Sequence, residues 1–450
     1  MKTNNFRRFL KWYQRLQISK SPQINLVWGF FLYVIIGFVL LSLPIMHKTD
    51  VRFIDSLFIS TSAVSTTGLV TISIADTFNI GGQFIVMMLI QLGGIGYMTL
   101  TTYFLLLTTR RLTRWHSRII GAEFTMPESI KINDFIRSVI IFTFVMEALG
   151  ALCLFIAFYA DGMELFQSIW FGIFHSISAF CTAGFGLFND SFEGYQDHVF
   201  INIVLSVLAI AGSLGFIVIT DLWYKFSGKS KSISFTSKII IYGFIALLSV
   251  GTLLTYFTEP VMSQTGNHPL MKSFFQSMSA MTTVGFNSVT TGDISLPNLL
   301  LVIFLMYVGA SPSGTAGGMK ITTLTAMISV IKSRLLGEEK ITFMNRRIPS
   351  ERLYVATSTF ILYTSFIFLF SFLMSFTEKA AFEDILFEVA SALGTVGLSR
   401  GITGNLTDIG KALIIIIMFV GRVGVLTFGF ALLARKRKNN TNHIIDDLAV

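Results

Sequence analysis

The sequence predicts an all-α membrane protein of four helix–pore loop–helix repeats, with eight transmembrane helices and four re-entrant pore helices around a central pore. Three observations lead there. Of 450 residues, 53% are hydrophobic and only 13% charged, outside the balance of soluble domains. The apolar residues gather into runs long enough to cross a bilayer. Between alternate runs one pattern, F-x3-S-A-x2-T-x-G-[LF], occurs four times. It begins at Phe58, Phe174, Phe275 and Phe387, and carries Ser62-Ala63, Ser178-Ala179, Ser279-Ala280 and Ser391-Ala392. Repetition at a long period marks one structural unit copied along the chain.

In chain order, residues 1–24 are polar and basic, with Arg7, Arg8, Lys11, Arg15 and Lys20. The apolar run Leu26 to Met46 follows. It is too long for a signal-peptide core and lacks a small-residue cleavage site, so it reads as a retained span. Further spans are expected at Gln83 to Leu107, Ser138 to Ala160, Val199 to Asp221, Lys238 to Phe257, Leu299 to Val330, Tyr354 to Phe376 and Lys411 to Ala434. The expected division is a cytoplasmic segment 1–24, repeats at 25–118, 119–230, 231–338 and 339–438, and a cytoplasmic tail 439–450. Each repeated segment opens with an apolar stretch of about 12 residues, too short to cross, which suits a half-helix that enters and returns. Irregular backbone at membrane depth survives only inside protein or beside a watery cavity, so four such loops imply a shared central one.

Of 34 Lys and Arg, all but eight fall in five clusters: before the first span, Arg110 to Arg137, Lys225 to Lys238, Lys332 to Arg352, and Arg435 to Lys438. All five lie on one side of the predicted topology. By the positive-inside rule both termini are cytoplasmic and the loops dip in from outside. No basic domain exists to hold nucleic acid, so the net charge of +9 is about orientation. Acids predicted on the outer face, Asp55, Asp161, Glu164, Glu259, Glu383, Asp384 and Glu388, would favour cations at that mouth. Cys153 and Cys181 sit in apolar stretches and read as packing residues. The histidines, His47, His116, His175, His198, His268 and His443, show no metal spacing. Gly94-Ile95-Gly96 lies inside a span and is no phosphate loop. No catalytic residue and no cofactor are expected, and an enzyme is the weakest reading.

Each half-helix ends at its Ser-Ala-x-x-Thr segment and aims a partially negative C-terminus at the midplane, where four would converge on a cation. Carbonyls of the Thr-x-Gly stretch can replace the hydration shell of a monovalent ion. Glycine there permits positive φ and leaves the ion path uncrowded. The helices that follow carry G-x-x-G pairs: Gly93/Gly96, Gly212/Gly215 and Gly421/Gly424. Close helix packing accounts for them. Repeat three has instead Gly309-Ala-Ser-Pro-Ser-Gly-Thr-Ala-Gly-Gly-Met-Lys320, which cannot remain a regular helix. That segment reads as a gate under the loops, with a static kink as the alternative. Arg422 is costly inside a span. It faces the pore as a barrier to cations or pairs with carbonyls of the repeat-three loop. Glu147 is expected to have a packing role or a polar partner, and His175 to pack in its half-helix.

These features, in this order, resemble the Trk/Ktr/HKT family of potassium transporters over about residues 25–435. The absence of two further N-terminal helices resembles the Ktr-type membrane subunit. The resemblance implies potassium uptake through a channel-like subunit. Its selectivity filter would be the carbonyls of Thr66-Thr67-Gly68, Thr182-Ala183-Gly184, Thr283-Val284-Gly285 and Thr395-Val396-Gly397, the only sites for K+. Plant relatives that prefer sodium carry Ser for the first filter glycine, and here all four glycines stand. The gate would comprise Gly309, Ser311, Pro312, Ser313, Gly314, Thr315, Gly317, Gly318 and Lys320, with Arg422 as pore barrier. The resemblance also implies a homodimer in a bacterial plasma membrane, on a cytoplasmic octameric ring of RCK-type regulatory subunits that bind ATP or ADP. Whether sodium is required stays open. An inside-negative potential contributes about 2.3 kcal/mol per charge per 100 mV, enough to drive uptake. A sodium-coupled secondary transporter is the other reading, although that class usually shows two repeats rather than four.

Overall fold

The computed structural model describes residues 22–96, 132–230, 232–264, 266–309 and 311–433. The basic N-terminal cluster, most of the 110–137 loop and the tail lie outside the described residues, as do Ala310, His116 and His443.

Helices dominate. Repeat one contributes α1 (Pro22–Leu41), α2 (Phe53–Val64) and α3 (Ile80–Ile95). Repeat two contributes α4 (Ile132–Ala160), α5 (Leu165–Phe180), α6 (Val199–Ser213) and α7 (Phe216–Phe226). Repeat three contributes α8 (Phe235–Thr258), α9 (Pro269–Thr282), α10 (Leu296–Tyr307) and α11 (Ile321–Leu335). Repeat four contributes α12 (Ser350–Thr377), α13 (Phe382–Gly394), α14 (Asp408–Val423) and α15 (Val425–Leu433). The first helix of each repeat is long and apolar enough to cross a membrane. Those helices expose large apolar side chains outward, among them Phe31, Phe144, Leu253 and Phe372, a surface suited to acyl chains rather than water.

The half-helices α2, α5, α9 and α13 are 12 to 16 residues long. Each packs against the first helix of its own repeat. Each second helix packs against the half-helix of the following repeat: α3 on α5, α6 on α9, α10 on α13, and α14 back on α2. The last contact closes the circle. It is reinforced by an ion pair between Lys411 Nζ and Asp55 Oδ1 at 2.6 Å, both nearly inaccessible, and Asp55 also meets Arg52 at 3.0 Å.

Similar ties join the end of each first helix to the start of its second. Glu259 accepts from Ser295 N and Oγ (2.9 and 2.7 Å), Glu378 from Thr407 N and Oγ1 (3.1 and 2.6 Å), and Asp161 faces His198 at 3.5 Å. In repeat one, Asn79 Nδ2 donates to Ile45 O at 2.6 Å. Asn79, His198 and Thr407 also cap α3, α6 and α14 by accepting a first-turn N–H.

The second helices differ from the continuous spans expected. α6 and α7 meet at 91°, and α14 and α15 at 98°. The bends fall at Gly215 and Gly424, with φ of +86° and +90°, and Gly96 has φ +86°. Each G-x-x-G pair thus divides its labour. A Cβ on Gly93, Gly212 or Gly421 would collide with the last carbonyls of α2, α5 or α13, so the first glycine serves close packing. The second turns the chain through a region L-residues avoid. A short hairpin, β1 (Thr342–Phe343) with β2 (Arg346–Arg347), follows α11, with Thr342 opposite Arg347. Met344 and Asn345, both at positive φ, give it a two-residue turn of the primed kind.

Candidate ion-conduction site

The repeated pattern ends each half-helix in the same way. Thr66, Thr182, Thr283 and Thr395 adopt the left-handed conformation, with φ of 52°, 49°, 57° and 49°. In every repeat the Thr N–H bonds the Ala carbonyl three residues back, and the next N–H bonds the Ser carbonyl five back, at 2.8 to 3.3 Å. This is a C-terminal closure of the Schellman kind, with threonine where glycine is usual. A β-branched residue there is strained, and a motif that keeps it four times is using the threonine itself.

The recurring serine of the pattern staples the strand that follows in three of the repeats. Ser62 Oγ accepts from Gly68 N (3.1 Å) and donates to Leu69 O (2.8 Å), Ser279 Oγ donates to Phe286 O (2.5 Å), and Ser391 Oγ accepts from Gly397 N (3.0 Å). Ser178 Oγ makes no such bond among the described residues.

The four strands meet. A Cβ on Gly68 would collide with Ala183 O, one on Gly184 with Val284 O, one on Gly285 with Val396 O, and one on Gly397 with Thr67 O. Each glycine therefore abuts a carbonyl of the next repeat, and the fourth returns to the first. The four glycines and the carbonyls of Thr67, Ala183, Val284 and Val396, all within the stretches singled out from sequence, thus form one closed ring of contacts between repeats. A vestibule of about 660 Å³ opens on one face of the ring, lined by all four glycines together with Asp76, Asp190, Glu193 and Arg400.

Of the acids assigned to that mouth from sequence, most are taken up in ties. Asp55 pairs with Lys411, Glu259 holds Ser295, Glu388 holds Ser399 and Thr403, and Asp384 pairs with Arg400 at 3.2 Å. The carboxylates in the vestibule are instead Asp76, Asp190 and Glu193, from the connections after the filter stretches of repeats one and two, whose single helical turns (Ile74–Thr77 and Glu193–Tyr195) are too short to show a register in sequence.

On the opposite face the threonine hydroxyls meet the irregular segment of repeat three. Thr182 Oγ1 donates to Thr315 Oγ1 (3.1 Å) and Gly317 N donates to Thr283 Oγ1 (3.0 Å). A Cβ on Gly317 would collide with Thr395 Oγ1. The segment is seated in the bend of repeat two. Phe216 N and Ile217 N, unsatisfied at the start of α7, donate to Ser313 O and Oγ (3.1 and 3.2 Å), and Thr315 N donates to Gly212 O (3.1 Å). A break in one helix thus supplies the caps that hold a loop of another. Pro312 O and Ser311 Oγ lie against Gly215, and a Cβ on Gly309 would meet Gly317 and Gly318. Gly318 and Ser313 have φ of 68° and 66°. Lys320 Nζ donates to Ala316 O and Gly317 O (2.6 and 2.7 Å).

Arg422 joins the same assembly. Its Nη1 donates to Thr315 O (2.6 Å) and Thr66 Oγ1 (3.1 Å), and its Nη2 to Gly93 O and Gly94 O. A guanidinium from repeat four therefore ties the repeat-three segment to repeat one, the pairing with carbonyls of the repeat-three loop that is one of the two alternatives read from sequence. Glu147 has the polar partner expected of it: Gln91 Nε2 donates to both its oxygens at 2.9 and 3.0 Å. Among the described residues no group of histidine, cysteine and acid could hold a metal.

Comparison with known proteins decides the family. The model of the TrkH cation transport proteins matches residues 30–442. This chain belongs to the TrkH family of cation transport proteins. It is 33% identical to the potassium/sodium uptake protein NtpJ of Enterococcus hirae over 96% of this chain and 97% of that protein. It is also 33% identical to the Ktr system potassium uptake protein B of Bacillus subtilis, over 96% of each chain. The crystal structure of the potassium transporter TrkH from Vibrio parahaemolyticus shares the fold, with a TM-score of 0.70 and 20% identity over 92% of this chain and 86% of that one. Within the family the chain is a Ktr-type membrane subunit. The family is one of ion transporters, not enzymes.

Proposed function

We propose that this protein takes up potassium by dehydrating it in the four-stranded ring. The observation that carries the reading is the closure of that ring, glycine against carbonyl in all four repeats. Peptide oxygens brought together without side chains are the ligands a desolvated alkali ion requires, and the four half-helix C-termini add negative potential. The names of its relatives, potassium/sodium uptake for NtpJ and potassium uptake for the Ktr proteins, support the choice of ion. Filter carbonyls of Thr66-Thr67-Gly68 and their counterparts bind K+. Asp76, Asp190 and Glu193 concentrate cations at the mouth.

The segment from Gly309 to Lys320 is the gate. Its bonds to α7 and Thr315's bond to Arg422 hold it across the path. Arg422 acts both as electrostatic barrier and as latch. Release needs α7 and α15, beyond the two bends, to move, which is where a cytoplasmic partner would pull. That partner is an octameric ring of nucleotide-binding subunits carrying ATP or ADP beneath a homodimer in the bacterial plasma membrane. Both termini are then cytoplasmic, and repeats divide near 25–118, 119–230, 231–338 and 339–438. Sodium dependence follows the name of NtpJ. Growth of a potassium-uptake-deficient bacterium expressing this chain, with and without a regulatory ring, tests the reading. Growth at limiting potassium supports it, and no rescue with any ring overturns it.

A further inference from the structure

The position after the repeated Phe is not repeated: it is Ile59, His175, Gln276 and Glu388 in the four units. All four are buried behind the ring, and they make unlike contacts. Glu388 accepts from Ser399 Oγ (2.8 Å) and from Thr403 Oγ1, residues just beyond the filter that also line the vestibule. His175 Nδ1 lies 2.8 Å from Phe171 O, so it donates there, and Nε2 accepts from Leu187 N at 3.0 Å. The Glu388 contacts and the His175–Leu187 contact each span their filter stretch like a clasp, from half-helix to the chain beyond the filter. Ile59 has no polar group to offer. Gln276 Nε2 and Oε1 find no partner among the described residues, nor does Ser288 Oγ beyond its filter glycine.

Ring order is one, two, three, four, so the clasped repeats face each other across the axis, and so do the unclasped ones. From this we infer that the filter is braced two-fold, by Glu388 and His175 on one diagonal, and that these are positioning residues for ion discrimination. Glu388 accepts from two hydroxyls beyond the filter, whereas His175 takes one backbone N–H there, so Glu388 is the stiffer clasp. The inner filter oxygens of repeats two and four keep the spacing suited to potassium. Repeats one and three follow.

The inference rests on the filter reading and is tested in the full chain, expressed in potassium-uptake-deficient cells, by rubidium uptake with sodium as competitor. Glu388→Ala is expected to lower the rubidium-over-sodium ratio about tenfold, the scale of one lost buried hydrogen bond. Glu388→Gln, which keeps an acceptor, recovers part of it. Thr403→Val should lower the ratio severalfold and add little to Glu388→Ala, the non-additivity of groups acting together. Ile59→Val, a change of similar burial on the other diagonal, leaves the ratio unaltered. Thermal unfolding of each purified variant separates misfolding from lost discrimination. If the parent chain shows no preference for rubidium, the filter reading itself fails. If the parent discriminates and folded Glu388→Ala and Thr403→Val do so equally well, the bracing idea is overturned.

Discussion

Gly285→Ser bears most sharply on the ring. The new Cβ would lie on Val396 O and 3.0 Å from Gly397 Cα, with φ at +76°. A side chain in the left-handed region costs roughly 1–2 kcal/mol. The collision can be relieved only by moving the Val396 carbonyl, since the offending atoms are backbone on both sides. That carbonyl belongs to the set that replaces water around the ion. A differential change of ~1–2 kcal/mol between two ions is a roughly 5–30-fold change in preference. Rubidium uptake measured against rising sodium should therefore show discrimination falling by about that factor, with sodium entering the pathway. Unchanged discrimination in a folded variant would refute the ring as the selecting element.

Other outcomes follow from the face below the ring. Removing residues 310–317 should raise flux severalfold in whole-cell uptake, because the segment contacts three of the four threonine positions. Arg422→Gln breaks the bonds to Thr315 O and Thr66 Oγ1 and should also raise flux. Its effect should be small once the segment is gone. Gly215→Val places a branched chain against Pro312 O, 2.8 Å from the Cβ position, and Gly314 N, 3.1 Å from it, so it should unseat the segment and weaken control by any regulatory ring. Lys411→Met leaves Asp55 with only its exposed partner Arg52 between repeats four and one and should destabilise the protein by about 1–3 kcal/mol. A lower melting temperature, partly restored by adding Asp55→Asn, checks that.

Much of this architecture could be read from sequence because the repeated pattern encodes one local closure. Its threonine takes the left-handed turn and its glycine abuts the next unit in all four repeats, and its serine bonds the filter strand in three of them, so most letters have a geometric duty that does not vary with context. The bends at Gly215 and Gly424 were not legible. G-x-x-G is equally the sign of close packing, and here one glycine packs while the other bends. What decides is a distant partner, such as Ser313 capping α7, which no local window contains. The hairpin at 342–347 has strands of two residues, too short to show alternation. Acids such as Glu259 and Glu388 looked like cation attractors because sequence gives charge without burial, whereas in the fold hydroxyls and helix starts claim them. Glu147 was legible as needing a partner, but Gln91, on another repeat, could not be named.

The most direct test of the central claim is to locate the ion. Crystals of the protein soaked in rubidium should show anomalous density on the ring axis, encircled by the carbonyls of Thr66-Thr67-Gly68, Thr182-Ala183-Gly184, Thr283-Val284-Gly285 and Thr395-Val396-Gly397. Rubidium found only in the vestibule near Asp76, Asp190 and Glu193, with the axis empty, would contradict it.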